Sequence, residues 1–290
     1  MKTKFQGVYT ALVTPFSSDG GRVDVKSLRQ LLEFQCASDV TGFIVCGSTG
    51  EAATLSDSEY VEVVTQVREL AGDRPVIAGV SVSATARAVE MARVIEELRC
   101  DGILLAAPPY NKPNQAGLIE HFAHVAAATS LPIVAYNIPS RSGVSIQPGT
   151  LGELSRRGLI AAIKESSGSL DTFLDVKLAV SEECNLLTGE DSMFSGALAC
   201  GGCGIVSASA NVIPDDFCCV WQAWEQGDSR LAVRTQLEMT SKIRHMFIET
   251  NPVPAKTVLA KMGVINSAAV RLPLVPLSDE NRIRVCEAFK

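Results

Sequence analysis

Short apolar runs bounded by turn residues alternate with longer amphipathic stretches, and the alternation continues from the start of the chain to about residue 226. This order constrains the fold more than any other feature, because strands separated by crossover helices lie parallel. The candidate strands are 7–13, 42–46, 76–79, 102–106, 133–137, 160–164, 186–188 and 204–207. The candidate helices between and after them are 25–37, 56–70, 84–98, 115–128, 148–157, 170–180, 191–199 and 214–226. Eight such units predict an α/β protein, a (β/α)8 TIM barrel rather than an open doubly wound sheet. Helical segments at about 229–250, 254–263 and 279–289 extend it, so 1–226 reads as the barrel domain and 227–290 as a C-terminal helical region.

Charge and cysteine usage narrow the partners. The formal net charge is -6 and the basic residues are scattered. Neither nucleic acid nor an acidic membrane is therefore expected, and a small molecule is. The opening stretch from Met1 to Phe16 has an apolar run too short, and too early broken by Pro15, for a leader or a membrane span, which predicts a cytoplasmic protein. Nine cysteines follow no disulfide framework and read as reduced thiols, mostly in the core. Cys200 and Cys203 have CxxC spacing, but no second pair or nearby histidine completes a metal site, so they read as structural. His121 and His124, three apart on a helix, lack a third ligand and read as packing or surface residues. No GxGxxG follows the first strand and no GxxxxGK[ST] occurs, which removes the main support for dinucleotide and P-loop sites. No cofactor or metal is expected.

The reactive residues gather where a barrel enzyme keeps them, at the carboxyl ends of strands. Lys164 ends the apolar run Ile160-Ala161-Ala162-Ile163, where an ammonium group has little reason to be. A lysine in low-dielectric surroundings gives up its proton more readily, and the neutral amine attacks carbonyls to form imines. Tyr136, at the end of the preceding strand, would stand beside it as a proton shuttle. Gly47-Ser48-Thr49-Gly50 is either a tight turn with a helix cap or a carboxylate cradle of flexible backbone and paired hydroxyls. Arg141 is either a solvated residue or a bidentate grip on a second carboxylate. Glu165 is adjacent to Lys164, but strand alternation sends it to the other face.

Taken together, Ala11-Leu-Val-Thr-Pro-Phe16, Gly47–Leu55, Pro109-Tyr-Asn-Lys-Pro113, Tyr136–Gly143, Ile163-Lys-Glu165, Thr188-Gly-Glu-Asp191, Asn251–Lys256 and Arg271–Pro276 resemble the pyruvate-dependent Schiff-base aldolases. Within them the chain is most similar to the dihydrodipicolinate synthase family, over nearly its whole length. The resemblance implies an imine between Lys164 and pyruvate, whose carboxylate is held at Ser48 and Thr49, and whose enamine attacks aspartate semialdehyde. It implies a proton relay from Tyr136 through Thr49 to Tyr110 of a neighbouring subunit. Gly189 and Val206 would line the pyruvate pocket, and Arg141 would bind the semialdehyde carboxylate. A homotetramer, a dimer of dimers with Tyr110 crossing the tighter interface, is implied as well. Ser48 departs from the threonine common in these synthases, and a serine there is usual in N-acetylneuraminate lyases. That leaves a lyase or a 2-keto-3-deoxy sugar acid aldolase as the alternative, with Arg141 as the discriminating residue.

Overall fold

The computed structural model describes residues 5–289, so the first four residues of the opening stretch, and Lys290, lie outside the described residues. Eight strands form a closed barrel in chain order: β1 (Gly7–Ala11), β2 (Gly42–Val45), β3 (Val76–Val80), β4 (Gly102–Ala106), β5 (Ile133–Asn137), β6 (Ala162–Glu165), β7 (Asn185–Thr188) and β8 (Gly204–Ser207). A helix lies between every two successive strands, and the helices Ser229–Met246, Val253–Lys261 and Asp279–Ala288 follow the barrel. The fold is the (β/α)8 barrel with a helical extension that the sequence predicts. The strands are buried along almost their whole length, which explains why they read as continuous apolar runs rather than as alternating ones.

By its internal packing the chain divides into two units. One holds Pro75–Val206 together with the described residues up to Gly7, and the other holds Val8–Arg74 and the residues from Ser207 onward. In the first, β3 through β7 pair as parallel neighbours, with Ile77 opposite Gly102, Tyr136 opposite Lys164 and Lys164 opposite Leu187. At its start β8 needs a glycine: Gly204 has φ of 153°, and a Cβ there would stand 2.2 Å from the Gly7 carbonyl oxygen. In the second unit β1 pairs with β2, with Tyr9 opposite Gly42. The helix Ser229–Met246 packs there on Pro214–Glu225.

Several helices start where a side chain satisfies orphan amides of the first turn. Ser56 accepts from the Glu59 amide while the Glu59 carboxylate accepts from the Ser56 amide, a complete capping box for Asp57–Leu70. Asn114 and Ser169 cap Gln115–Ala126 and Leu170–Ala179 from one side only, accepting from the Gly117 and Thr172 amides.

Three differences from the sequence expectation bear on the carboxyl ends of β5, β6 and β7. Residues 158–159 close the preceding helix, through Gly158 in a left-handed conformation and a Leu159-to-Leu154 hydrogen bond, so β6 starts at Ala162. It runs one residue past Lys164, because the Glu165 carbonyl accepts from the Gly189 amide at 2.7 Å. The segment 191–199 is a 3-10 turn, Asp191–Met193, followed by the helix Phe194–Ala199. The segment after β5 is a short helix, Pro139–Ser142, with proline at its first position and Gly143 at φ of 76° closing it.

Candidate active site

On β5 and β6 the register sets Tyr136 against Lys164 and Asn137 against Glu165. Matched residues of neighbouring parallel strands share a face, and successive residues alternate. Lys164 and Tyr136 therefore meet: both are buried, and the lysine Nζ lies 4.2 Å from the centroid of the tyrosine ring. The second pair turns away. Asn137 Nδ2 donates to Glu165 Oε2 at 2.8 Å, and the Ser167 amide donates to Glu165 Oε1 at 2.7 Å. Both carboxylate oxygens of Glu165 are thus engaged, as the alternation argument requires.

Gly189 follows the end of β7, where there is no room for a side chain. A Cβ at this position would lie 1.9 Å from Ser166 Oγ and 2.7 Å from Lys164 Cε. Its amide is spent on the Glu165 carbonyl, so what it offers the site is space and its own carbonyl. Glu190 follows, its carboxyl raised above the usual range by burial, further by Asp191, with Lys164 pulling the other way. Val206, on β8, is buried.

Arg141 is exposed on the turn Pro139–Ser142 after β5. Tyr110 follows β4 in a loop held by Asn111 Nδ2, which donates to the Ser83 carbonyl at 3.1 Å. Its backbone is left-handed, with φ of 72°, and the residue is 90% exposed. A tyrosine held in that conformation with its ring in solvent is a costly arrangement for a monomer.

In the second unit the turn after β2 carries Ser48 and Thr49. Two non-glycine residues in left-handed conformations, Cys46 at φ of 52° and Glu51 at 53°, bracket it. Such conformations cost on the order of 1–3 kcal/mol each and persist where the surroundings over-determine them. Thr14 Oγ1 donates to the Gly50 carbonyl at 2.7 Å, and Asn251 Nδ2 donates to Thr49 Oγ1 at 2.9 Å. Glu51 is held by a fully buried ion pair, Lys256 Nζ to Oε1 at 2.5 Å, and by the Arg271 amide to Oε2 at 3.0 Å. Lys256 also donates to the Ala269 carbonyl at 2.7 Å and lies over the Phe16 ring. Burial lowers its pKa to about 8, with Glu51 opposing. The Arg271 guanidinium covers the same ring and binds Glu59 through both carboxylate oxygens.

The sequence reading missed Asn251, Lys256 and Glu51 as a group. A lysine at the centre of Val253-Pro-Ala-Lys256-Thr-Val258 is as anomalous as Lys164 and would have pointed to it. Of the residues read as structural, Cys203 accepts from Asn185 Nδ2 at 3.3 Å, and burial raises its thiol pKa. His121 is buried against Phe122, its pKa lowered to about 4 by burial, while His124 is exposed.

The chain matches the Dihydrodipicolinate synthetase family over residues 4–290. It is 39% identical over 287 residues to a 4-hydroxy-tetrahydrodipicolinate synthase of Pelobacter propionicus, covering 99% of this chain and 98% of that one. A synthase of the same name from Methanococcoides burtonii is 40% identical over 287 residues, with the same coverage. The crystal structure of dihydrodipicolinate synthase from Aquifex aeolicus superposes with a TM-score of 0.94 at 37% identity, covering 98% of this chain and 97% of that one.

Proposed function

Because the chain belongs to the dihydrodipicolinate synthetase family, we propose that it condenses pyruvate with L-aspartate 4-semialdehyde to 4-hydroxy-tetrahydrodipicolinate, in lysine and diaminopimelate biosynthesis. The observation that carries this reading is the buried amine of Lys164 over the Tyr136 ring, with Gly189 leaving room for the lysine stem.

In this reaction the neutral Lys164 amine adds to the ketone carbon of pyruvate, and the carbinolamine expels water to leave an imine. Loss of a methyl proton gives the enamine, whose carbon attacks the aldehyde of the semialdehyde. The amino group of the semialdehyde then displaces Lys164 from the imine carbon and closes the ring, so the lysine is regenerated. Ser48 and Thr49 are assigned to the pyruvate carboxylate, and Tyr136 and Thr49 to proton transfer. Tyr110 completes the relay from a neighbouring subunit, and its exposed phenol supports that assignment. Gly189 and Val206 line the pyruvate, and Arg141 receives the semialdehyde carboxylate. The chemistry belongs to the barrel segment 1–226, with 227–290 as its helical extension.

The assembly that fits is a homotetramer built as a dimer of dimers. Leu170, Leu174 and Leu178 are exposed at four-residue spacing on one helix, an apolar stripe suited to a second contact. No helix of the described residues is long and apolar enough to cross a membrane, and a biosynthetic role of this kind fits the cytoplasm. The synthase is favoured over an N-acetylneuraminate lyase or a 2-keto-3-deoxy sugar acid aldolase by the relatives' names and by Arg141.

Incubation with pyruvate, borohydride reduction and peptide mapping tests the assignment. The reduced adduct is expected on Lys164 and absent from Lys164→Arg, whose guanidinium is too basic to act as a nucleophile at neutral pH. An adduct on Lys256 or Lys261 overturns it. Parallel assays with aspartate semialdehyde and with sialic acid decide the substrate.

A further inference from the structure

The turn that carries Thr49 is tied twice to the segment that begins the helix Val253–Lys261. Asn251 Nδ2 donates to Thr49 Oγ1 at 2.9 Å, and Lys256 Nζ donates to Glu51 Oε1 at 2.5 Å. The attachment points are two positions apart on the turn and five positions apart on the segment, so the two contacts fix an orientation as well as a distance. The lower tie is the stiffer one. Lys256 and Glu51 are both inaccessible to solvent, and Glu51 also accepts from the Arg271 amide. Neither member can leave without stranding a buried charge.

The upper tie has a direction. An amide NH2 can only donate, whereas a threonine hydroxyl has one proton and two lone pairs. With Asn251 occupying a lone pair of Thr49, the hydroxyl proton has to point elsewhere, and donation into the oxygen polarises the O–H bond and makes it a better donor. We propose that Asn251 is a positioning residue: its amide commits the Thr49 hydroxyl to donating, and the buried Lys256–Glu51 pair keeps amide and hydroxyl in place. The proposal rests on the reading of Thr49 as part of the proton relay and carboxylate site.

The test is a double-mutant cycle on the full-length protein, read by kcat and by KM for pyruvate and aspartate semialdehyde. Asn251→Asp is nearly isosteric but accepts where asparagine donates, so it captures the Thr49 proton. It is expected to lower kcat by ~100-fold with KM moved only a few-fold, while Asn251→Ala, which merely releases the hydroxyl, lowers kcat by ~10-fold. A residue needed only for packing gives the opposite order. In a Thr49→Val background, Asn251→Asp is expected to change kcat by less than ~3-fold, because the group it acts through is gone. Additive losses overturn the proposal. If Asn251→Asp does not yield folded protein, the same cycle with Asn251→Ala decides by the same criterion of coupling against additivity. Thr49→Val with undiminished kcat instead defeats the assignment of Thr49 itself. A large loss in Thr49→Val beside a fully active Asn251→Asp defeats only the role of Asn251.

Discussion

A carboxylate gripped by a guanidinium through two charge-assisted hydrogen bonds loses on the order of 1.5–3 kcal/mol when the arginine is removed. Arg141→Ala is therefore expected to raise KM for aspartate semialdehyde by ~10–100-fold and to leave KM for pyruvate within ~3-fold. Steady-state kinetics with each substrate varied will show whether the two carboxylates are assigned correctly. Gly189→Ala is the sharper residue test, since its methyl would meet Ser166 Oγ and the Lys164 stem at distances no relaxation of one side chain absorbs. Overpacking of this kind costs ~1–3 kcal/mol, and here it falls on the proposed nucleophile. Urea melts should show the loss, and borohydride trapping should show less adduct at equal protein. The pairing of Lys164 with Tyr136 was legible in the sequence because each stands next to the end of its strand and consecutive strands pair. Asn251 and Thr49, 202 residues apart, were not, because no local period encodes a contact made by chain closure.

Among the elements, the helix Asp57–Leu70 shows how a cap reaches beyond its own turn. Glu59 belongs to the capping box and also binds Arg271, whose hydrogen bonds hold its carboxyl near 2 against a partial burial that opposes them. A carboxyl depressed in the folded state contributes stability that is fully present above its unfolded value near 4.5 and is lost as pH falls toward 2. Glu59→Gln should be less stable by about 1–2 kcal/mol at pH 7, after allowance for solvent screening, and the gap should narrow below about pH 4.5 and close near pH 2. Chemical denaturation of both proteins at several pH values checks the sign and the window. Strand and helix order was readable from periodicity alone. The turn Pro139–Ser142 was not, although Pro139 at its start and Gly143 after its end are the signals that mark such an element. The start of β6 was misplaced because Ile160 and Ala161 are as apolar as the strand they lead into, and the preceding helix had claimed only the residues before them.

At the scale of the whole molecule, eight repeats of one pattern made the closed barrel predictable, while the proposed relay through Tyr110 would extend its function beyond one chain. Tyr110→Phe and Tyr136→Phe chains are each expected to be nearly inactive, and co-expression should restore part of the activity through mixed oligomers that hold one intact relay. Recovery measured on purified mixtures, against each variant alone, tests whether the exposed phenol serves a neighbour. The buried pair of Lys256 and Glu51 has a different consequence, for chemical selectivity. An amine whose pKa is about 8 would ordinarily be a ready trap for reactive ketones and aldehydes. Conversion of Lys256 to a neutral carbinolamine, the first step of any imine, would abandon the Glu51 carboxylate without a counter-ion in a region water does not reach, at a cost of several kcal/mol. The fold thereby passivates the buried Lys256 amine with a fixed anion, and under the proposed mechanism a metabolite carbonyl is left to Lys164.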